Sequence, residues 1–295
     1  MRVFVTGATG FIGSAIVPEL IQSGHQVTGL ARSDAGAQSL TAAGAQVHRG
    51  DIEDLDSLRR GAADADAVIH TAFNHDFSKF AANCESDRRV IEALGAELAG
   101  SNRLLIVTSG TGMSDGSAGR ARAEDGPTIS SKVIPRAASE EAANAAAERG
   151  VRVVIVRLPQ VHDTEKQGLI TYSIQIARSK GVSAYVGDGS NRWPAAHRFD
   201  VSHLYCLALE KGEAARYHAV AEEGVPTREI AEVVARGLKV PAVSIRPEEA
   251  PKHFGWLAPF AGMDLTASSA ITRQKLGWNP TGPGLITDLE NMRYS

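Results

Sequence analysis

Short runs rich in Val, Ile and Leu alternate with amphipathic stretches through the first half of the chain. The runs predict strands over residues 2–6, 26–31, 45–49, 66–70, 103–109 and 151–157. Between them, apolar positions recur at helical spacing near 11–23, 34–43, 54–63, 77–99 and 135–149. The strand runs lack strict polar alternation, as strands covered on both faces do. Strand–helix alternation of this kind predicts an α/β fold with a doubly wound parallel sheet and right-handed crossovers.

The rhythm changes after residue 157. Loops such as PQVHDTEKQG and VGDGSNRWPAAHRFD lengthen, and prolines gather at 226, 241, 247, 251, 259, 280 and 283. Helical patterns persist near 168–180, 201–211, 226–237 and 266–276, with short strands near 184–186, 216–220 and 242–246. The expected organisation is a nucleotide-binding domain from 1–160 plus parts of 195–220, with a smaller irregular substrate lobe mainly from 161–295. No repeat or linker separates them, so they are expected to pack as one unit.

Composition then narrows the function classes. A chain of 295 residues, 43% hydrophobic, can bury a substantial core. A net charge of −3 offers no basic footprint for nucleic acid. No apolar run approaches the roughly 18 residues of a membrane span. The chain opens on the strand-like RVFVTG, so neither a signal nor a transit peptide is expected, and the expected location is cytoplasmic. Cys84 and Cys206 form no CxxC pair, so reduced thiols are expected, with no disulfide frame and no metal site. The expected partner is a small-molecule substrate, bound by a monomer or a homodimer.

The strongest chemical signal is VFVTGATGFIGSAIVPEL, which places Gly7, Gly10 and Gly13 between an apolar strand and an amphipathic helix. Gly7 permits a tight turn, Gly10 lets backbone approach a pyrophosphate, and Gly13 lets helix and strand pack closely. The helix start then offers free N–H groups and a positive dipole end to the anion. This is the cradle of a Rossmann dinucleotide site. The second strand ends LARSD, where an acid would accept from a ribose 2′-OH. Arg32 and Ser33 come first and suit a 2′-phosphate, while Asp34 can still carry the acid role. NADP(H) is therefore favoured over NAD(H).

Further segments follow the glycine motif in a fixed order: GDIEDLDSL at 50–58, VIHTAF at 68–73, VTSGT at 107–111 and VRLPQVHD at 156–163. HRFDVSHLYCLAL at 197–209, REIAEVVARGL at 228–238 and KLGWNPTGPG at 275–284 complete the series. Together they make the chain resemble an extended short-chain dehydrogenase/reductase, more narrowly the NAD-dependent epimerase/dehydratase branch. The resemblance implies that Gly7, Thr9, Gly10, Phe11, Ile12 and Gly13 hold the pyrophosphate. It implies that Asp51 and Ile52 flank the adenine, that Thr71, Ala72 and Phe73 line the cofactor near its ribose, and that Leu158 and Pro159 lie against the nicotinamide. It also offers Ser109 as the catalytic Ser/Thr, with Thr111 as the alternative register.

The family's helix carries a Tyr, three intervening residues and a Lys, usually followed four residues later by Glu. Aligning on Glu140 puts Arg136 at the Lys position and Lys132 at the Tyr position, and no Tyr precedes Tyr172. In this the chain resembles the atypical short-chain reductases, in which basic residues replace the usual pair. Arginine is a poor proton donor, but it binds ribose hydroxyls or stabilises a developing oxyanion. Lysine is the better acid, because desolvation or a nearby cation lowers its pKa. Pro135 fits only the first helical turn, with Ser130 or Ser131 as N-cap, so the i, i+4 facing of the two cations depends on where the helix starts.

His162, Tyr172 and His197 are the other candidates for the proton. Asn74, His75, Tyr172 and Trp193 are candidates to line a substrate pocket, and Trp256 to close it. Three functions compete. The first is an NADP(H)-dependent oxidoreductase acting on a small carbonyl or activated alkene. The second is a non-catalytic cofactor-binding redox sensor, and the third a nucleotide-sugar epimerase or dehydratase.

Overall fold

Strands β1 (Arg2–Thr6), β2 (Gln26–Ala31), β3 (Gln46–Arg49), β4 (Ala67–His70), β5 (Leu104–Gly110) and β6 (Arg152–Leu158) each stand within a residue of their expected positions. Helices α1 (Gly13–Gln22), α2 (Asp34–Ala42), α3 (Leu55–Ala63), α4 (Phe80–Leu98) and α5 (Ala138–Glu148) fall between them. The structure is a computed structural model that describes residues 1–114, 120–211 and 213–294. Its second half runs β7 (Gln160–His162), α6 (Ile170–Lys180), β8 (Ser183–Val186), β9 (Arg192–His197), α7 (Arg198–Lys211) and β10 (Arg216–His218). It continues through β11 (Glu222–Pro226), α8 (Thr227–Leu238), β12 (Ala242–Ile245), α9 (Ala250–Phe254), α10 (Ala258–Ala261), α11 (Ala270–Leu276) and α12 (Leu285–Asn291).

The main sheet has the order β10-β6-β5-β4-β1-β2-β3, and its paired strands are parallel throughout. One face buries Val5, Ile16, Leu20, Ile106, Val156 and Leu204 with α1 and α7. The other buries Phe4, Leu58, Leu94, Leu105 and Ala146 with α3, α4 and α5. Cover on both faces is why the strand runs read as continuously apolar. Each fully buried Leu or Ile contributes about 1.5–3 kcal/mol to holding these layers together. Strand order reverses between β1 and β4, so a crevice opens at their C-terminal ends, where doubly wound sheets bind ligands.

Beside the main sheet stand a three-stranded sheet, β11-β9-β7, and a two-stranded pair, β12-β8. Strand β9 falls within a stretch that reads as loop, because RWPAAH carries no β-branched residue and a proline at its centre. Its neighbour β11 shifts register between Glu222 and Val225, opposite Pro194, so the missing N–H needs no ladder partner. Helix α7 starts at Arg198, ahead of the start expected near residue 201. Asp200 accepts from the backbone of Thr281 and Gly282, each at 2.9 Å, and so ties down the C-terminal loop. Among the described residues no helix is long and apolar enough to cross a membrane.

Candidate active site

The glycine motif builds the turn its spacing requires. Gly7 has φ +69°, and a Cβ there would stand 2.6 Å from the Ala72 nitrogen. A Cβ on Gly13 would stand 2.1 Å from the Gly7 carbonyl oxygen, so α1 can approach β1 only through glycine. Gly10 donates to the Gly7 carbonyl at 2.8 Å and closes the turn. Ile12 precedes α1, no side chain caps the helix, and its first turn holds no acid. Its N–H groups and dipole are therefore available to an anion, and the residues present fit a dinucleotide pyrophosphate. Thr9 lies against the start of α2, and Thr71 donates to the Thr6 carbonyl at 2.8 Å, fixing the β4 loop beside the cradle.

At the end of β2, the Ser33 hydroxyl accepts from the Gly36 nitrogen at 3.1 Å and caps α2. Asp34 is held by Arg49 of β3 at 2.8 Å, a partner fifteen residues along the chain. Arg32 is 83% exposed at its side chain, with only a long 4.0 Å contact to Asp51. Asp51 otherwise accepts from the Glu53 nitrogen at 3.0 Å, and Ile52 packs on the α3–α5 core. The second-strand corner thus presents two guanidiniums, while its acid already has a cation.

Arg136 has the most developed surroundings. Its guanidinium donates to Asp87 Oδ2 at 2.8 Å and to the Thr108 carbonyl at 3.0 Å, also contacts the Ser139 hydroxyl, and lies 4.4 Å from the centre of the Phe73 ring. Asp87 accepts from Ser139 at 2.5 Å and contacts His70 Nε2 at 2.9 Å, and His70 Nδ1 meets Thr6 Oγ1 at 2.7 Å. Burial opposes ionisation of Asp87, but the charge of Arg136 and the contacts with His70 outweigh it and hold the carboxyl at about 2. Thr108 also meets Tyr205 at 2.6 Å. A chain of polar side chains therefore anchors one cation at the C-terminal edge of β4 and β5. His70, Asp87 and Ser139 were not anticipated. Asp87 carried a signal, however: it stands in the apolar stripe Cys84, Ile91, Leu94 and Leu98 of α4, where a carboxylate needs a partner.

The other expected catalytic residues lie elsewhere. Lys132 is exposed in a turn, since α5 begins only at Ala138 after a 3-10 turn over Pro135–Ala137. Ser131 does not cap the helix; its nitrogen and hydroxyl bond to Glu141, each at 2.8 Å. Lys132 and Arg136 therefore do not share a helix face. Ser109 pairs in register with Arg157 and is buried on the α5 side, near Glu140 but without an ordinary hydrogen bond. Thr111 is buried at the start of the turn that follows β5. Leu158 ends β6 beside Gly110, and Pro159 links it to β7.

His162 is fully buried, with Nδ1 2.7 Å from Asp288, and desolvation lowers its pKa despite that carboxylate. His197 is 9% exposed and packs its ring 5.8 Å from that of His162. Trp193 belongs to the core of the C-terminal lobe. His162 and His197 are packed inside the fold, and Trp193 also lines a small cavity with Tyr185, Ile230 and Phe254, away from the phosphate cradle.

Aromatic residues do gather at the crevice. Phe77 stacks on Trp256 at 4.1 Å and 7°, with the Tyr172 ring 5.5 Å from Phe77 and 5.1 Å from Trp256. His75 lies 5.3 Å from Phe73 and 6.1 Å from Phe77. Partial desolvation, then the charges of Lys166 and Arg136, lower the His75 pKa below its ordinary value. Asn74 shapes this loop: its side chain accepts from the Asp76 nitrogen at 3.1 Å, and its carbonyl accepts from Asn83. Phe11, at the other end of the crevice, is faced by Arg198 at 5.2 Å and Lys166 at 5.7 Å.

A family model described as the NAD dependent epimerase/dehydratase family matches residues 3–220. The uncharacterized protein C2A9.02 of Schizosaccharomyces pombe is 48% identical over 298 residues, covering 100% of both chains. The uncharacterized protein YLL056C of Saccharomyces cerevisiae is 43% identical over 293 residues and 98% of both chains. The dTDP-glucose 4,6-dehydratase DesIV of Streptomyces venezuelae, solved with NAD and TYD bound, overlays with a TM-score of 0.78 at 21% identity. That overlay covers 100% of this chain and 96% of the other and is a likeness of fold.

Proposed function

The chain belongs to the NAD-dependent epimerase/dehydratase family, and we propose that it is an NADP(H)-dependent oxidoreductase acting on a small organic carbonyl or activated alkene. The observation that carries this reading is Arg136, fixed by Asp87 and Thr108 at the edge where the crevice opens. When bound, the cofactor supplies or takes the hydride. The guanidinium offers positive charge and N–H donors to a ribose hydroxyl or a substrate oxygen gaining negative charge. A well-placed donor of that kind is worth about 2.7–4 kcal/mol in the transition state.

His75 is the titratable group next to both the Phe73 shield of Arg136 and the aromatic cluster. With its pKa lowered, the imidazole is neutral near pH 7, the form that accepts a proton when an alcohol is oxidised. Phe77, Tyr172 and Trp256 offer flat apolar surface to the substrate. Preference for NADP(H) is supported by Arg32 and Arg49, together with the engagement of Asp34 by Arg49.

The test is a panel of aldehydes, ketones and enones with NADPH and NADH. Turnover with tighter NADPH binding is expected. Tight cofactor binding with no turnover across the panel would instead favour the redox-sensor reading, which the displaced Lys132 supports. The nucleotide-sugar reading ranks third, because no tyrosine stands at the Lys132 position.

A further inference from the structure

Two distant cysteines without CxxC spacing predict no metal site, yet folding brings one of them into mixed ligand company. His25 precedes β2, while Cys206 and Glu210 lie one turn apart on α7. His25 stands at the N-terminal end of its strand, so the cluster is at the sheet edge opposite the cofactor crevice. One ligand atom from each of the three, an imidazole nitrogen, the thiol sulfur and a carboxylate oxygen, lies within 4.8 Å of the other two. Nε2 is 3.5 Å from Oε1, and Sγ is 3.7 Å from it. Those separations match the edges of a tetrahedron around zinc, about 3.3–3.8 Å when bonds to N, O and S are about 2.0–2.3 Å long.

The second observation is the histidine itself. Its side chain is 9% exposed, and Nε2 is buried without a hydrogen-bond partner. A buried polar nitrogen left in that state costs free energy. Nδ1 lies 3.3 Å from the Met1 nitrogen, a contact that helps fix the ring while Nε2 faces Glu210 Oε1. Glu210 is 44% exposed at its side chain and leaves an entry path from solvent. The Cys206 thiol lies 3.2 Å from the Ser23 hydroxyl.

We propose that His25, Cys206 and Glu210 form a zinc site, with water in the fourth position. A set of one imidazole, one thiolate and one carboxylate suits a borderline ion, whereas Mg²⁺ and Ca²⁺ prefer all-oxygen shells. On loading, the Sγ–H bond breaks, the Zn–Sγ bond forms and the proton leaves to solvent; no electron is transferred. Ser23 then donates its hydroxyl hydrogen to the thiolate. The ion ties the turn between α1 and β2 to α7, clamping the helix that carries the phosphate cradle to its neighbour on the same face.

The experiment titrates the metal-stripped full chain with Co²⁺ and follows the thiolate-to-cobalt charge-transfer band and the visible bands of tetrahedral cobalt. One equivalent of Co²⁺ is expected to saturate both bands, and Zn²⁺ to abolish them by competition. Cys206→Ser should lose the charge-transfer band, while Cys84→Ser keeps it. Glu210→Gln, at a half-exposed position that leaves the fold intact, should weaken Co²⁺ binding at least about tenfold, as losing even an outer-shell partner does. Absence of the charge-transfer band in the wild-type chain, or its persistence in Cys206→Ser, overturns the proposal. Unchanged affinity in Glu210→Gln overturns the assigned ligand set.

Discussion

Among single residues, the proposed chemistry depends most on Arg136 and the groups that hold it. Arg136→Met should lower kcat/KM by about 10²–10³-fold, the loss seen when one oxyanion donor is removed, while Arg136→Lys keeps the charge and recovers part of it. Steady-state kinetics with a responsive carbonyl checks both. His75 gives a pH signature. Its pKa is lowered by desolvation and by the charges of Lys166 and Arg136, so the neutral base persists below the ordinary imidazole range. Alcohol oxidation should therefore stay level through neutrality and fall only below about pH 6.5, and His75→Asn should remove that limb from the pH–rate profile. Arg136 was legible because aligning on Glu140 set its register. Asp87 and His70 were not, because only folding brings their partners together: Arg136 meets Asp87 over a separation of 49 residues and Thr6 meets His70 over 64. Lys132 misled because Pro135 delays the helix, a fact the proline itself announced.

Among the elements, the β1–α1 turn and the aromatic cluster each shape one side of the crevice. Gly13→Ala must push α1 off the turn, since its Cβ would meet the Gly7 carbonyl oxygen at 2.1 Å. The expected outcome is an NADPH dissociation constant raised at least about tenfold, from a strain of about 1–3 kcal/mol, measured by fluorescence titration. Trp256→Ala removes the ring stacked on Phe77 and should raise KM for flat substrates a few-fold, the effect of about 1 kcal/mol of aromatic contact, with cofactor affinity unchanged. The parallel strands and their helices were readable because two-sided burial writes itself as apolar runs. β9 was not, because Arg192–His197 is made a strand by its neighbours β7 and β11 and not by its own residues.

Across the whole molecule, buried charge links the site to stability. Arg157 and Glu140 are fully buried and bonded at 2.7 Å, so Glu140→Gln, which strands the guanidinium, should cost about 3–5 kcal/mol in denaturant unfolding. Asp87 titrates at about 2 in the folded chain, against about 3.9 when unfolded. Its contribution is fully present above the unfolded value and is lost as pH falls toward the folded one. Melting temperature should therefore drop between pH 4 and pH 2, more gently in Asp87→Asn; an identical slope in that variant would contradict the pairing. Hydride transfer between NADP(H) and a separate substrate can be followed directly. NADPH deuterated at its transferable position is incubated with the enzyme and a carbonyl substrate, and the product is analysed by mass spectrometry. Deuterium in the product, at one equivalent per NADPH consumed, is the predicted result. Tight NADPH binding with no deuterated product from any carbonyl or enone would contradict it.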